Sequence, residues 1–321
     1  MNNILTKSNK ISAIFAFMLL LVAAASAQIS LRNAVDTDLD KKADYSVFRP
    51  SNGFWYVMKS GGGFIFQQFG DGNTDYPTPG DYDGDGKGDI SVWRETNGFW
   101  YRLNSSDNTF QAVQFGALGD EPVGRDYDGD GKTDFAVVRR TGGTMIWYFM
   151  NSRDGFKSVQ FGSSGDYTAP GDFDGDLKFD IAVQRPGTTA TSQSIFYILK
   201  SGATNYEAIP FGFTNDYFVP GDYDGDGKTD IAVVRDGANA AANLTWFIRQ
   251  STDNQIISHS FGATGTDQIV QNDYDGDGKT DIAVWRDTNG TFYVQGSKDK
   301  TISFVQWGAP SDSPIPGYDT H

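Results

Sequence analysis

The chain has 321 residues, enough for one large repeat domain or two ordinary ones. Its 41 acidic residues outnumber 26 basic ones, which sets a nucleic-acid backbone aside as a partner. With 38 glycines, 46 aromatic residues and no cysteine, the composition suits many short strands and tight turns, with no disulfide to hold them.

The first element is an address. Lys7 and Lys10 precede an apolar stretch over 11–25, and Ala25-Ser26-Ala27 supplies a small-x-small cleavage site before Gln28. Residues 1–27 therefore read as a signal peptide, and residues 28–321 as a secreted or periplasmic chain. No second apolar run is long enough to cross a bilayer.

From there the sequence repeats. The string D-Y-D-G-D-G-K-x-D-I-A-V-x-R recurs, with small variations, from Asp36, Asp81, Asp126, Asp172, Asp222 and Asp273, at intervals of 45, 45, 46, 50 and 51 residues. The two longest intervals carry extra small polar residues at 186–194 and 236–243, which read as longer surface loops. After each Asp-rich loop comes a short apolar run ending in arginine, over 45–49, 90–94, 135–139, 181–185, 231–235 and 282–286. A turn follows, often Asn-Gly or Gly-Gly, and then an aromatic segment such as Gly53-Phe54-Trp55-Tyr56-Val57. A third segment ends in Phe69-Gly70, Phe115-Gly116, Phe161-Gly162, Phe211-Gly212 or Phe261-Gly262, with Trp307-Gly308 in the last unit. A fourth segment, proline-bearing at 76–80, 167–171 and 217–221, leads into the next loop. Four short strand-like runs per unit, separated by turn chemistry, predict an all-β chain folded as a β-propeller.

The Phe-Gly segment, the Pro-Gly before the loop and the D-x-D-x-D-G-x-x-D loop together resemble FG-GAP (VCBS) repeats, the blades of integrin α-subunit propellers and of many secreted bacterial proteins. The resemblance covers essentially all of 28–321 in six copies. It implies that each loop joins the first and second strands of a blade and holds one calcium ion. Six four-stranded blades are expected, with a seven-position ring containing an incomplete blade as the rival. Residues 312–317 repeat the segment that precedes each loop, while 28–35 already fill that slot for the first unit, so both ends offer the same strand.

Calcium takes several oxygen ligands, and aspartates on alternate residues of a tight loop direct successive carboxylates to one centre. The ligands expected in the six loops are Asp36, Asp38, Asp40, Lys42 and Asp44; Asp81, Asp83, Asp85, Lys87 and Asp89; Asp126, Asp128, Asp130, Lys132 and Asp134; Asp172, Asp174, Asp176, Lys178 and Asp180; Asp222, Asp224, Asp226, Lys228 and Asp230; and Asp273, Asp275, Asp277, Lys279 and Asp281. Each lysine would bind through its carbonyl, with its side chain toward solvent. An EF-hand is excluded because position twelve is valine (Val92, Val137, Val183, Val233 and Val284) where that motif needs glutamate between helices. Without the signal, 24 basic residues face 41 acidic ones, a net −17; six calcium ions would bring this to about −5. Loops 1 and 4 should bind most weakly, because Leu39, Lys41 and Leu177 stand where glycine is usual.

The aromatic pairs Trp55/Tyr56, Trp100/Tyr101, Trp147/Tyr148, Phe196/Tyr197, Trp246/Phe247 and Phe292/Tyr293 should send one ring between blades and the other to the opposite face. Some such rings stack on sugars in fungal lectins built on similar calcium-bearing propellers. The recurring arginines (Arg49, Arg94, Arg139, Arg185, Arg235 and Arg286) should pair with carboxylates in their blades, while Asp75, Asp120, Asp166, Asp216 and Asp267 read as turn residues. The only histidines are His259 and His321, which with the lack of cysteine excludes nucleophilic triads and zinc sites. The sequence thus points to a calcium-stabilised module that binds glycans or surface proteins. A carbohydrate-active enzyme on a propeller and a purely structural extracellular protein are the alternatives. A single ligand site would lie near the inserts at 186–194 and 236–243.

Overall fold

A computed structural model describes residues 34–316; the expected signal peptide lies outside the described residues. Within them the chain forms six sheets of four antiparallel strands, arranged as the six blades of a propeller. Blades are numbered here by the Asp-rich loop they contain. Blade 2 shows the plan: a short inner strand, Asp75–Pro77, pairs with Ile90–Arg94, which pairs with Phe99–Leu103, which pairs with the outer strand Phe110–Gln114. No helix among the described residues is long and apolar enough to cross a membrane.

The sequence pattern explains the layering. In Ile90–Arg94 the central three residues, Ser91, Val92 and Trp93, are all buried, as both faces of a second strand lie against neighbouring blades. The third strand alternates, so Trp100 is buried and Tyr101 half-buried. The outer strand is mostly exposed. One ring of each aromatic pair therefore enters the core, and Trp55, Trp100, Trp147 and Trp246 each donate an indole N–H to the carbonyl of the Phe-Gly phenylalanine of their own blade (2.8–3.0 Å). The glycine of the hairpin turn has a steric reason. A Cβ on Gly98, in the hairpin turn, would lie 2.3 Å from the Gly116 carbonyl oxygen, so two chain segments meet where only glycine fits.

Register then places the arginines. Asp75 lies opposite Arg94, Asp120 opposite Arg139 and Asp267 opposite Arg286. Each pair closes a two-pronged ion pair: Arg94 Nε to Asp75 Oδ1 at 2.6 Å and Nη2 to Oδ2 at 2.8 Å. Asp166 and Asp216 hold Arg185 and Arg235 in the same way. These aspartates are turn residues as well, since Asp75 Oδ2 accepts from Asp71 N–H at 2.8 Å. The other face of each guanidinium lies on an aromatic ring, 4.8 Å from the Tyr101 centroid in blade 2.

Six sheets settle the blade count, and the ring closes without a seventh position. The inner strand of blade 1 comes from the far end of the chain: Ser313–Pro314 pairs with Tyr45–Arg49, and Ile315 N–H donates to Ser46 O at 2.9 Å. Asp312 supplies Arg49 with the carboxylate that Asp75 supplies to Arg94 (2.6 and 2.8 Å). The last residue before the loop is contributed by the other end, as Val35 O accepts from Asp44 N–H where Gly80 O accepts from Asp89 N–H. The two ends share the slot. Truncation after Ala309 should remove the inner strand of blade 1 and lower the melting temperature by many degrees. Asp312→Ala alone should cost about 2–3 kcal/mol in chemical denaturation, the value of hydrogen bonds to a buried charge; wild-type stability for both variants would contradict this closure.

Candidate metal loops and the rim of the propeller

The six Asp-rich loops sit at one end of the blades, between first and second strands. Loop 2 shows the construction. Asp81 accepts backbone N–H bonds from Gly84 (2.7 Å) and Gly86 (2.8 Å), which folds the loop around its carboxylate. Asp83 accepts from Asp85 N–H, and Asp85 from Lys87 N–H. Asp89 accepts from Tyr82 N–H at 2.9 Å, tying the end of the loop to its start. Gly84 and Gly86 have φ of +84° and +89°. Leu39, Lys41 and Leu177 adopt the same left-handed conformation, at +65°, +69° and +73°. Loops 1 and 4 therefore share the common shape under backbone strain.

The expected carboxylates do converge. In loops 1, 2 and 5 the first three aspartates each bring an oxygen within 4.8 Å of the others: Asp36, Asp38 and Asp40; Asp81, Asp83 and Asp85; Asp222, Asp224 and Asp226. In loops 3 and 4 the ninth-position residue joins instead, giving Asp126, Asp128 and Asp134, and Asp172, Asp174 and Asp180. Burial pushes up the carboxyls at positions one and nine against their backbone hydrogen bonds, with neighbouring negative charge adding to the effect. Asp81, Asp172 and Asp222 reach about 6, and Asp134, Asp180, Asp230 and Asp281 about 7. Most telling are Asp38, Asp128 and Asp174, each of which buries one carboxylate oxygen with no hydrogen-bond donor. A buried anionic oxygen facing other carboxylates fits a hard cation.

A second layer escaped the sequence reading. A serine from the hairpin between third and fourth strands reaches into every loop: Ser60, Ser105, Ser152, Ser201, Ser251 and Ser297. Its N–H donates to the ninth-position aspartate at 2.6–2.8 Å. Its hydroxyl donates to the fifth-position aspartate, as Ser105 Oγ does to Asp85 at 2.9 Å. The signal was a serine five residues after the buried aromatic of every unit, at a distance from the Asp-rich loop that the inserts change.

The lysines correct an expectation. The side chains of Lys42, Lys132, Lys178, Lys228 and Lys279 do not simply extend to solvent; they cross to the preceding loop. Lys132 Nζ donates to Asp83 O at 3.0 Å, and Lys279 Nζ to Asp224 O at 2.7 Å. Lys178 and Lys42 lie over Gly129 and Gly276, so that a Cβ on either glycine would crowd the lysine stem at about 3 Å. The fourth-position glycine thus serves its neighbour as well as its own turn. The loops are also joined through their backbones. The eighth residue of each donates its N–H to the carbonyl of the first aspartate of the loop before: Gly88 to Asp36, Thr133 to Asp81, Phe179 to Asp126, Thr229 to Asp172, Thr280 to Asp222, and Ala43 to Asp273, at 2.6–2.9 Å. The circle is complete.

On the rim the outer strands and the turns leading into them display Phe64, Phe66, Phe110, Phe156, Tyr206 and Phe304, each 57–74 % exposed. Several meet the Phe-Gly aromatic of the preceding blade, as in Phe64–Trp307 (5.3 Å, stacked) and Phe161–Tyr206 (6.1 Å, edge-on).

Comparison with known proteins agrees with this architecture. The family model for an FG-GAP-like repeat matches residues 126–183, which span the third loop, its blade and the start of the next. No curated protein sequence matches the chain. Among solved structures, AofleA from Arthrobotrys oligospora is similar over 90% of both chains, at 10% identity and a TM-score of 0.50. Apo AztD from Citrobacter koseri is similar over 83% of this chain and 82% of its own, at 9% identity and a TM-score of 0.42. At these identities the likeness is one of fold. One repeat is matched by the family model and all six are built to the same plan, so the chain fits an FG-GAP-like repeat protein and is folded as a six-bladed β-propeller.

Proposed function

We propose that this chain is an exported, calcium-stabilised propeller that binds glycans presented outside the cell and does not transform them. The observation that carries the binding reading is the row of exposed aromatic rings on the rim, several of which meet a third-strand tyrosine covered by an arginine whose charge is already matched by aspartate. Such a surface offers flat apolar faces to the C–H side of a sugar ring without drawing in anions. A glycan array probed with the calcium-loaded protein should return hits among neutral or weakly charged glycans; silence across the array would refute the reading. Export rests on residues 1–27. Protein recovered from the culture medium or periplasm should begin at Gln28 by intact mass.

Calcium is supported by the convergent carboxylates and the donorless oxygens of Asp38, Asp128 and Asp174. The aspartates at positions one, three, five and nine and the carbonyl of the seventh-position lysine would hold it, and the ion would neutralise charge that the fold has buried. Each site loaded at a hundred times its Kd should add about 2.7 kcal/mol of stability. Chelation should therefore lower the melting temperature substantially, and a temperature unmoved by EGTA would exclude a structural ion. Calorimetric titration should resolve tighter sites from weaker ones in loops 1 and 4. Leu177→Gly, by removing the left-handed leucine, should tighten loop 4 by about 1 kcal/mol.

Acid should act in opposite senses with and without the ion. In calcium-free protein the first- and ninth-position carboxyls are raised in the folded state, so their favourable contribution is complete below about 4 and is lost as the pH rises through 6 to 7. Dialysed, calcium-free protein should melt higher at pH 5.5 than at pH 7.5. Because bound calcium needs these groups ionised, its affinity should fall over the same interval.

A further inference from the structure

The six blades are nearly equivalent, so a single specific site must use residues in which one blade differs from the rest. The position before the recurring arginine is such a place. It holds Phe48, Trp93, Val138, Val234 and Trp285 in five blades, all buried and apolar, and Gln184 in blade 4. Trp93 and Trp285 fill the junction with the following blade and donate their indole N–H to the carbonyls of Phe115 (3.3 Å) and Trp307 (3.1 Å). Gln184 is only 3 % exposed and its amide nitrogen has no hydrogen-bond partner. An unbonded buried amide costs about 1–3 kcal/mol, a cost that a valine, as in blades 3 and 5, avoids.

Beside Gln184, between blades 4 and 5, lies a cleft of about 350 Å³, within the size range of small-ligand sites. Tyr167 and Tyr217 form part of its wall, 49 % and 41 % exposed. The equivalent inner-strand residues around the ring are Ser313, Tyr76, Glu121, Tyr167, Tyr217 and Gln268, so only here do adjacent blades both place a tyrosine at this position. In blade 2 the Tyr76 ring lies 6.0 Å from Trp93; in blade 4 the residue paired with Tyr167 is Gln184, which leaves room. The longer loops at 186–194 and 236–243 border the cleft. Gly187 N–H donates to Thr214 Oγ1, Thr214 N–H donates to Ser192 O, and Asp236 lies 3.5 Å from the Tyr217 hydroxyl.

We infer that this cleft is the specific ligand site and that it takes one neutral, hydroxyl-rich sugar residue, with the Gln184 amide as its buried donor. The inference rests on the carbohydrate-binding reading above. Of its charged lining residues, Asp216 is matched by Arg235 and Asp236 is acidic, which disfavours phosphates and sulfates. A cation would satisfy Asp236 and leave the Gln184 N–H unmet. A sugar carries several hydroxyls, so one can accept from Gln184 and another donate to Asp236, while the tyrosine rings take the apolar face of the sugar. The cleft lies at the end of the propeller opposite the Asp-rich loops, so the ion does not touch the ligand.

The test compares calcium-loaded wild type with Gln184→Val, Tyr217→Ala and Tyr76→Ala on a neutral glycan array, followed by titration of the strongest hit. Gln184→Val should melt no lower than wild type yet bind at least about tenfold more weakly, the value of one buried hydrogen bond. Tyr217→Ala should weaken binding similarly, and Tyr76→Ala should leave it unchanged. Wild-type affinity in both Gln184→Val and Tyr217→Ala would overturn this site while leaving carbohydrate binding intact. Absence of any hit for wild type would overturn both readings.

Discussion

The fold depends on crowding 24 loop aspartates into six places, with the first and ninth of each loop buried, while keeping those places in register with one another. The circle of backbone hydrogen bonds from each eighth residue to the preceding first aspartate does the second task. It fixes the distance between neighbouring loops to one bond length and so fixes the pitch of the blades around the ring. The lysine stems laid across the fourth-position glycines add contact to the same junctions. Carboxylate repulsion within a loop and cohesion between loops thus act through the same few residues. A chain without disulfides gains its cross-links in this way.

The opposite end is organised by a different pair. There each arginine is clamped by an aspartate at the inner strand and covered by an aromatic ring from the third, so a buried carboxylate is matched by a cation that stays 31% exposed in blade 2. The blades present almost the same chemistry six times at this end, and selectivity can only come from departures such as Gln184 and the paired tyrosines. A repeat scaffold separates the two demands: regular residues hold the ring, and irregular ones are free to vary.

Much of this was readable from the chain. The second strands fall where an apolar run ends in arginine, and the structure puts strands at Tyr45–Arg49, Ile90–Arg94, Ile181–Arg185, Ile231–Arg235 and Ile282–Arg286. Repetition made that possible, since each run was seen six times against different backgrounds. Contacts between units were not readable in the same way. The lysines were assigned to solvent because one repeat viewed alone has no neighbour to cross to. Asp75 and its counterparts were seen as turn formers, and their second role needed the strand register that sets them opposite the arginines. The serines of the outer hairpin were missed because a single serine in a polar turn looks like any other. Blade number was open until the pairing of Ser313–Pro314 with Tyr45–Arg49 showed how the ends share one slot.

That shared slot bears on the order in which the molecule can form. Blades 2 to 6 draw all four strands from contiguous sequence, so each can assemble as soon as its own stretch of chain is available. Blade 1 cannot. Arg49 waits for a carboxylate 263 residues further along the chain, and the strand that contains it presents an unpaired edge until then. Closure is therefore the long-range step, and its entropic cost falls on a contact only a few residues long. The ring is held by one of its shortest strands, made last.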